Sequence, residues 1–328
     1  GVGGLNGALR NEGGDNIWNG AITLGSNSRI NANTGGASGS LTVAGNIAGG
    51  DNVLFLGALG STVGGRTGGN IAISGQISGD GGTQDGTTSV FKDGIGALTL
   101  SGNNDYNGAT LLNEGTILVG GNTAFGNGTV QIHFDSGDNG KVIASTDGDD
   151  RTFSNNLNVY NNFTLGATDR TGGITFEGSV ELGEEAGTRN ITTASGTSHT
   201  LSGVVSGLRG ITKLGDGSLT LSGTSANDYA DATIVSGGTL NLNKTTGNAI
   251  VGNVTVNSGA ILLLSASNQV DSGATDVVTL SGGTIQRASG VSEVFGDLNV
   301  TQASFLNFSA GTGGTIEFSG LDYAPSAL

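Results

Sequence analysis

The sequence predicts an all-β chain, a single-stranded parallel β-solenoid. Three observations carry this: degenerate strand-turn repeats of about twenty residues, period-2 alternation of apolar residues, and glycine at 64 of 328 positions with one proline. Leu41-Thr42-Val43-Ala44-Gly45 returns as Ile71-Ala72-Ile73-Ser74-Gly75 and again as His199-Thr200-Leu201-Ser202-Gly203. A longer unit, 92–120, matches 213–243. Lys92 to Gly102 aligns with Lys213 to Gly223, each copy then passing a polar bend with Tyr106 or Tyr229 to a strand at Gly115-Thr116-Ile117 or Gly238-Thr239-Leu240. Degenerate forms of that last strand open at Gly259 and Gly283, a spacing of one coil.

A repeat that returns like residues once per coil stacks strands in parallel, leucine over leucine, each coil burying its apolar face against its neighbours. Roughly 15 coils at ~4.8 Å per strand spacing would make a rod on the order of 70 Å long. Leu98/Leu100, Ile117/Val119, Val130/Ile132/Phe134, Leu157/Val159, Ile174/Phe176, Val254/Val256 and Leu298/Val300 are expected to point inward. Corner glycines and asparagines are expected to supply left-handed backbone, and stacked asparagines to bond along a column. No linker or composition shift divides the chain, so residues 1–328 read as one domain. The stretches 81–88, 135–150, 184–198 and 225–231, where alternation stops, read as solvated loops.

Composition narrows function. A 12% charged, 35% hydrophobic chain is too apolar for disorder. Collagen is excluded by the lack of a glycine period and of proline. A formal charge of −15 opposes nucleic acid and anionic lipid. The absence of cysteine removes disulfides and thiolate metal sites. No apolar run is long enough for a transmembrane helix, so direct membrane insertion is not expected, and the opening Gly1-Val2-Gly3 reads as that of an excised or processed segment. No cap helix is evident; small apolar ends at 1–9 and 321–328 suggest a cut solenoid or head-to-tail stacking into a filament.

No candidate chemistry outweighs a structural reading. Asp147-Gly148-Asp149-Asp150-Arg151 offers paired carboxylates for acid–base work on a glycosidic bond, but reads more simply as a hydrated bend, as does Glu184-Glu185. His133, between Ile132 and Phe134, should face solvent, and His199 shows no catalytic companion. Gly215-Asp216-Gly217 reads as a turn rather than a calcium loop, so no cofactor or metal is assigned, with calcium at the acidic turns as the alternative. Trp18 is the lone tryptophan, the eleven phenylalanines read as core, and Tyr106 and Tyr229 make two rungs rather than a glycan platform.

The Lys-x-Gly-x-Gly-x-Leu-x-Leu-Ser-Gly run, tyrosine bend and Gly-Thr-Leu strand resemble the autotransporter-associated β-strand repeat; Ala8 to Asn11 and Trp18 to Leu24 are similar to leading segments of such proteins. The resemblance implies a right-handed helix and an exported passenger, at the outer surface of a Gram-negative-type bacterium or released from it, without catalytic residues. No barrel segment is read within residues 1–328, so secretion by a barrel of its own is not expected from this segment. The expectation is therefore a non-catalytic stalk, adhesive passenger or self-stacking fibre, with a surface glycan or biofilm matrix as the outside partner. The alternatives are a polysaccharide-acting enzyme and a phage-type tailspike.

Overall fold

The computed structural model describes residues 7–34, 39–57, 67–79, 87–133, 140–271, 273 and 276–323. Among these there is no helix, and every strand pairing within the two units described below is parallel, except a short antiparallel one joining Asn33 and Thr34 to Gly68 and Thr67. Each of the two units is an all-β parallel solenoid, with about 12 turns in all among the described residues. The coils are fewer than expected because many are longer than twenty residues. Leu98 stacks on Ile117, 19 positions later, but Val53 stacks on Ser89, 36 positions later. That longest interval includes 58–66 and 80–86, which lie outside the described residues.

Two compact units, residues 1–164 and 165–328, are described in turn. In the first, one sheet is built on Leu9–Asn11, Ser28–Thr34, Val53–Leu56, Ser89–Lys92, Thr110–Leu112, Val130–Ile132 and Leu157–Val159. A second runs through Asn16–Trp18, Ser40–Val43, Asn70–Ile73, Ala97–Leu100, Thr116–Val119 and Val142–Ser145, and a third joins Ile22–Thr23, Ile47–Ala48 and Ile77–Ser78. In the second unit, one sheet contains Thr188–Thr193, Gly210–Leu214, Thr233–Val235, Val254–Asn257, Val277–Ser281, Glu293–Gln302 and Ile316–Tyr323. Its companion contains Ile174–Phe176, Ser198–Leu201, Ser218–Gly223, Thr239–Lys244, Ile261–Leu264, Thr284–Ala288 and Phe305–Ala310.

Period-2 alternation sends one residue in two inward, and parallel register then stacks those residues into columns. Leu201, Leu221, Leu242 and Leu264 form one such column, all fully buried. The expected inward pairs are buried, except that Val300 is half-buried and Phe134 lies outside the described residues. The phenylalanines divide. Phe125, Phe153, Phe176 and Phe295 are core, whereas Phe55 and Phe91 occupy outward positions and pack on one another with tilted rings 5.3 Å apart, and Phe305 is 67% exposed.

Two expected loops contain strands. Thr188–Thr193 lies inside 184–198; its single apolar side chain, Ile191, gives too weak an alternation to be read from sequence. Val142–Ser145 lies inside 135–150. Residues 225–231 are irregular as expected, yet Asn227 and Tyr229 within them are buried rather than solvated. Most of 81–88, 135–139, and the ends 1–6 and 324–328 lie outside the described residues.

Candidate functional site

The two longest repeats build the same buried polar cluster twice. Lys92 and Lys213 sit at inward positions of Ser89–Lys92 and Gly210–Leu214, 2% and 0% exposed. A buried ammonium must replace its water with acceptors, and each lysine finds three main-chain carbonyls. Lys92 Nζ donates to Asp93 O at 3.1 Å, to Gly94 O, and to Glu114 O at 2.8 Å one coil on. Lys213 Nζ donates to Leu214 O at 3.0 Å, Gly215 O at 2.8 Å and Gly237 O at 2.9 Å. The acceptors are equivalent: the next two residues, then the residue before Gly115 or Gly238. Desolvation pushes both ammonium groups down to about 8; Asp93 and Glu114 oppose the shift at Lys92, and Asp216 at Lys213.

An asparagine in the polar bend ties the coil to both neighbours. Asn104 Oδ1 accepts the Ile77 N–H at 2.8 Å and Asn104 Nδ2 donates to Ala124 O at 2.8 Å. Asn227 repeats this with the Val205 N–H at 2.9 Å and Ala249 O at 2.7 Å. Two residues on, Tyr106 and Tyr229 are fully buried, their hydroxyls bonded to Thr110 Oγ1 at 2.5 Å and Thr233 Oγ1 at 2.6 Å. Burial raises both phenols well above the ordinary range, against the opposing threonine bonds. The tyrosines are therefore packing elements, not rungs for a glycan. Tyr106→Phe and Tyr229→Phe should each cost about 1 kcal/mol, the net worth of one hydrogen bond, as read from urea denaturation.

The first copy adds an ion pair that sequence reasoning missed. Arg29 and Asp93, both nearly buried, meet at 3.1 Å, and the Arg29 guanidinium lies 5.1 Å from the Phe55 ring centre. The two residues lie 64 positions apart, beyond the reach of any local signal. Leu214 stands where Asp93 stands in the first copy, so the second copy lacks this pair.

The sequence candidates for chemistry fall into structural roles. Arg151 grips both carboxylate oxygens of Asp147 at 2.9 and 3.0 Å and approaches Asp149 at 3.7 Å, all within one turn. The Asp149 N–H, first, then Ser145 and Arg151, lower the Asp147 carboxyl's pKa and keep it ionised. The basic partner thus comes from the same bend, not from a neighbouring coil. Glu185 pairs with Arg209 at the surface. His199 is buried, its Nδ1 accepting the Ile174 N–H at 3.0 Å and its Nε2–H donating to Thr197 Oγ1 at 2.8 Å. His133 is half-buried, edge-on to Phe91 at 5.6 Å between ring centres, so its ring is only partly turned to solvent. Trp18 is 44% exposed on Asn16–Trp18, Asp216 is exposed in a bend, and no cluster of three or more metal-ligating side chains occurs among the described residues.

The passenger-associated-transport-repeat family matches residues 90–119 and 211–242, the two segments that hold the buried lysine, asparagine, tyrosine and threonine. A stretch of 170 residues, 52% of the chain, is 31% identical to the adhesin BmaC autotransporter of Brucella suis biovar 1 (strain 1330). The chain spans 4% of the length of that relative. No solved structure matches.

Proposed function

This chain carries passenger repeats of the autotransporter type, and from that premise we propose that it is a non-catalytic stalk or adhesive passenger segment, displayed at or released from the surface of a Gram-negative-type bacterium. The observation that carries this reading is the use made of the repeat residues. The lysine and asparagine of each matched segment are buried in bonds that reach a neighbouring coil, and the tyrosine and threonine in a bond within their own coil, which serves rigidity and spacing rather than turnover. The similarity to an adhesin autotransporter supports the surface location. Hydrolysis of a panel of bacterial and host polysaccharides by the purified chain, abolished by Asp149→Asn or Asp150→Asn, would overturn the non-catalytic part.

A second reading, end-to-end stacking into a fibre, is favoured by apolar side chains exposed near both ends of the described chain. Ile17 is 68% and Leu321 71% exposed, and Phe305, Leu306 and Phe308, all at least partly exposed, share the strand Phe305–Ala310. Parallel strand edges with exposed apolar residues are templates for a further coil. Electron microscopy of the purified chain, before and after denaturation and refolding, is the test. Filaments re-forming from this chain alone support the fibre, whereas dispersed single rods leave the stalk.

A further inference from the structure

We infer that the second sheet of the later unit, through the outward face of its strands from Ser198–Leu201 to Phe305–Ala310, binds a linear uncharged polysaccharide laid along the solenoid. The inference rests on the composition and geometry of that face, not on the stalk reading. In a chain with 27 acidic and 12 basic residues, no outward position on those six strands whose side chain is described bears a charge. The two cationic residues on these strands, Lys244 and Arg287, are buried. The central outward column, Thr200, Thr220, Asn241, Leu263, Gln286 and Asn307, is in continuous register. A flanking column runs from Ser198 to Phe305 in the same register.

The side chains of this face are half-exposed and partly held in place by one another. Asn241 Nδ2 donates to Thr220 Oγ1 at 3.3 Å, Ser265 Oγ to Asn241 Oδ1 at 2.6 Å, and Asn307 Nδ2 to Gln286 Oε1 at 3.4 Å. Hydroxyls and amides both donate and accept, as sugar hydroxyls do, and Ile261, Leu263 and Phe305 supply apolar contact for sugar C–H groups. Covering the face strips no ion of its water, while the chain's net charge of −15 repels polyanions.

Shape selects the occupant. Five strand spacings make the strip about 24 Å long, and two rows of side chains make it about 10 Å wide. That is roughly 250 Å², well short of the roughly 800 Å² per partner that a stable protein pair buries. A second copy of the chain would be poorly held there, whereas a single polymer strand fits its length and width.

The test is retention of the whole 328-residue chain on insoluble cellulose and on chitin at low and high salt, with soluble polygalacturonate as an anionic competitor. The expected result is retention on at least one of the two neutral polymers, insensitive to salt and to polygalacturonate. The Thr220→Glu/Gln286→Glu double variant should lower retention roughly tenfold or more. A Thr255→Glu/Thr279→Glu variant, altered on the other sheet of the same unit, should bind as the parent does. Matched urea midpoints keep the two comparable; if the first double variant unfolds more easily, Asn241→Ala replaces it. No retention on either polymer, equal loss in both variants, or displacement by polygalacturonate would overturn the inference.

Discussion

Lys213→Ala should lower the stability of the chain by about 3–5 kcal/mol, against well under 1 kcal/mol for an exposed lysine. The substitution strands three partly buried carbonyls, at Leu214, Gly215 and Gly237, and leaves a cavity in a column that otherwise holds Ile191 and Val235. Each stranded acceptor costs about 1–3 kcal/mol, partly offset by releasing a desolvated ammonium. Lys213→Met, which keeps most of the volume, should recover the cavity part but not the hydrogen-bond part, and Lys92 should behave alike. Urea denaturation of the three proteins, followed by circular dichroism, separates the two contributions. The pH dependence has a defined sign. Lys213 and Lys92 titrate at about 8 when folded and near the ordinary 10.5 when unfolded, so between those values the unfolded chain binds more protons. Their contribution to stability therefore rises with pH from about 8 to 10.5. The stability gap between parent and Lys213→Met should widen over that window; a gap that narrows or stays flat would show that the ammonium is not held down by burial.

The architecture was legible because it is written locally. Alternation such as Leu98-Thr99-Leu100 names the inward residues, and its return at Leu219-Thr220-Leu221 names the repeat, with no knowledge of which coils touch. The coil count was less legible, since a stacked strand is set by register and not by a fixed interval, and the 36 positions from Val53 to Ser89 carry no period. The buried cluster was half legible. Lys92, Tyr106 and their later equivalents stood out as matching letters, but a lysine in a glycine-rich turn reads as solvated until its carbonyl acceptors are seen in space. Arg29 and Asp93 could not be paired in advance, because the register that brings them together depends on the intervening coils. Phe55 and Phe91 were misread as core for a related reason: they pack on each other along the outer face, and that pairing also depends on register.

Gly102→Ala should cost at least about 3 kcal/mol, while Gly121→Ala, nearby in the same unit, should be neutral or slightly stabilising. The sequence suggested that corner glycines serve left-handed backbone, and at many corners they do. Gly45, Gly75 and Gly102, which close successive runs of alternation, do not have positive φ. Their glycine is required by approach. A Cβ at Gly102 would lie 2.1 Å from Gly75 O, one at Gly75 would lie 2.2 Å from Gly45 O, and one at Gly45 would lie 2.0 Å from Gly20 O. The obstacle is always the main chain of the preceding coil, which cannot turn aside as a side chain can. Relief would require parting two stacked coils, breaking the Ser101 N–H to Ile73 O bond and loosening the Leu98 and Leu100 columns beside it. Gly121 has nothing within 4 Å of its Cβ position, so alanine there only restricts the unfolded chain. Thermal and urea unfolding of the two variants measure the difference directly. If Gly102→Ala proved as mild as Gly121→Ala, coil spacing in this solenoid would be set by side chains, and the run-closing glycine of the repeat would need another explanation.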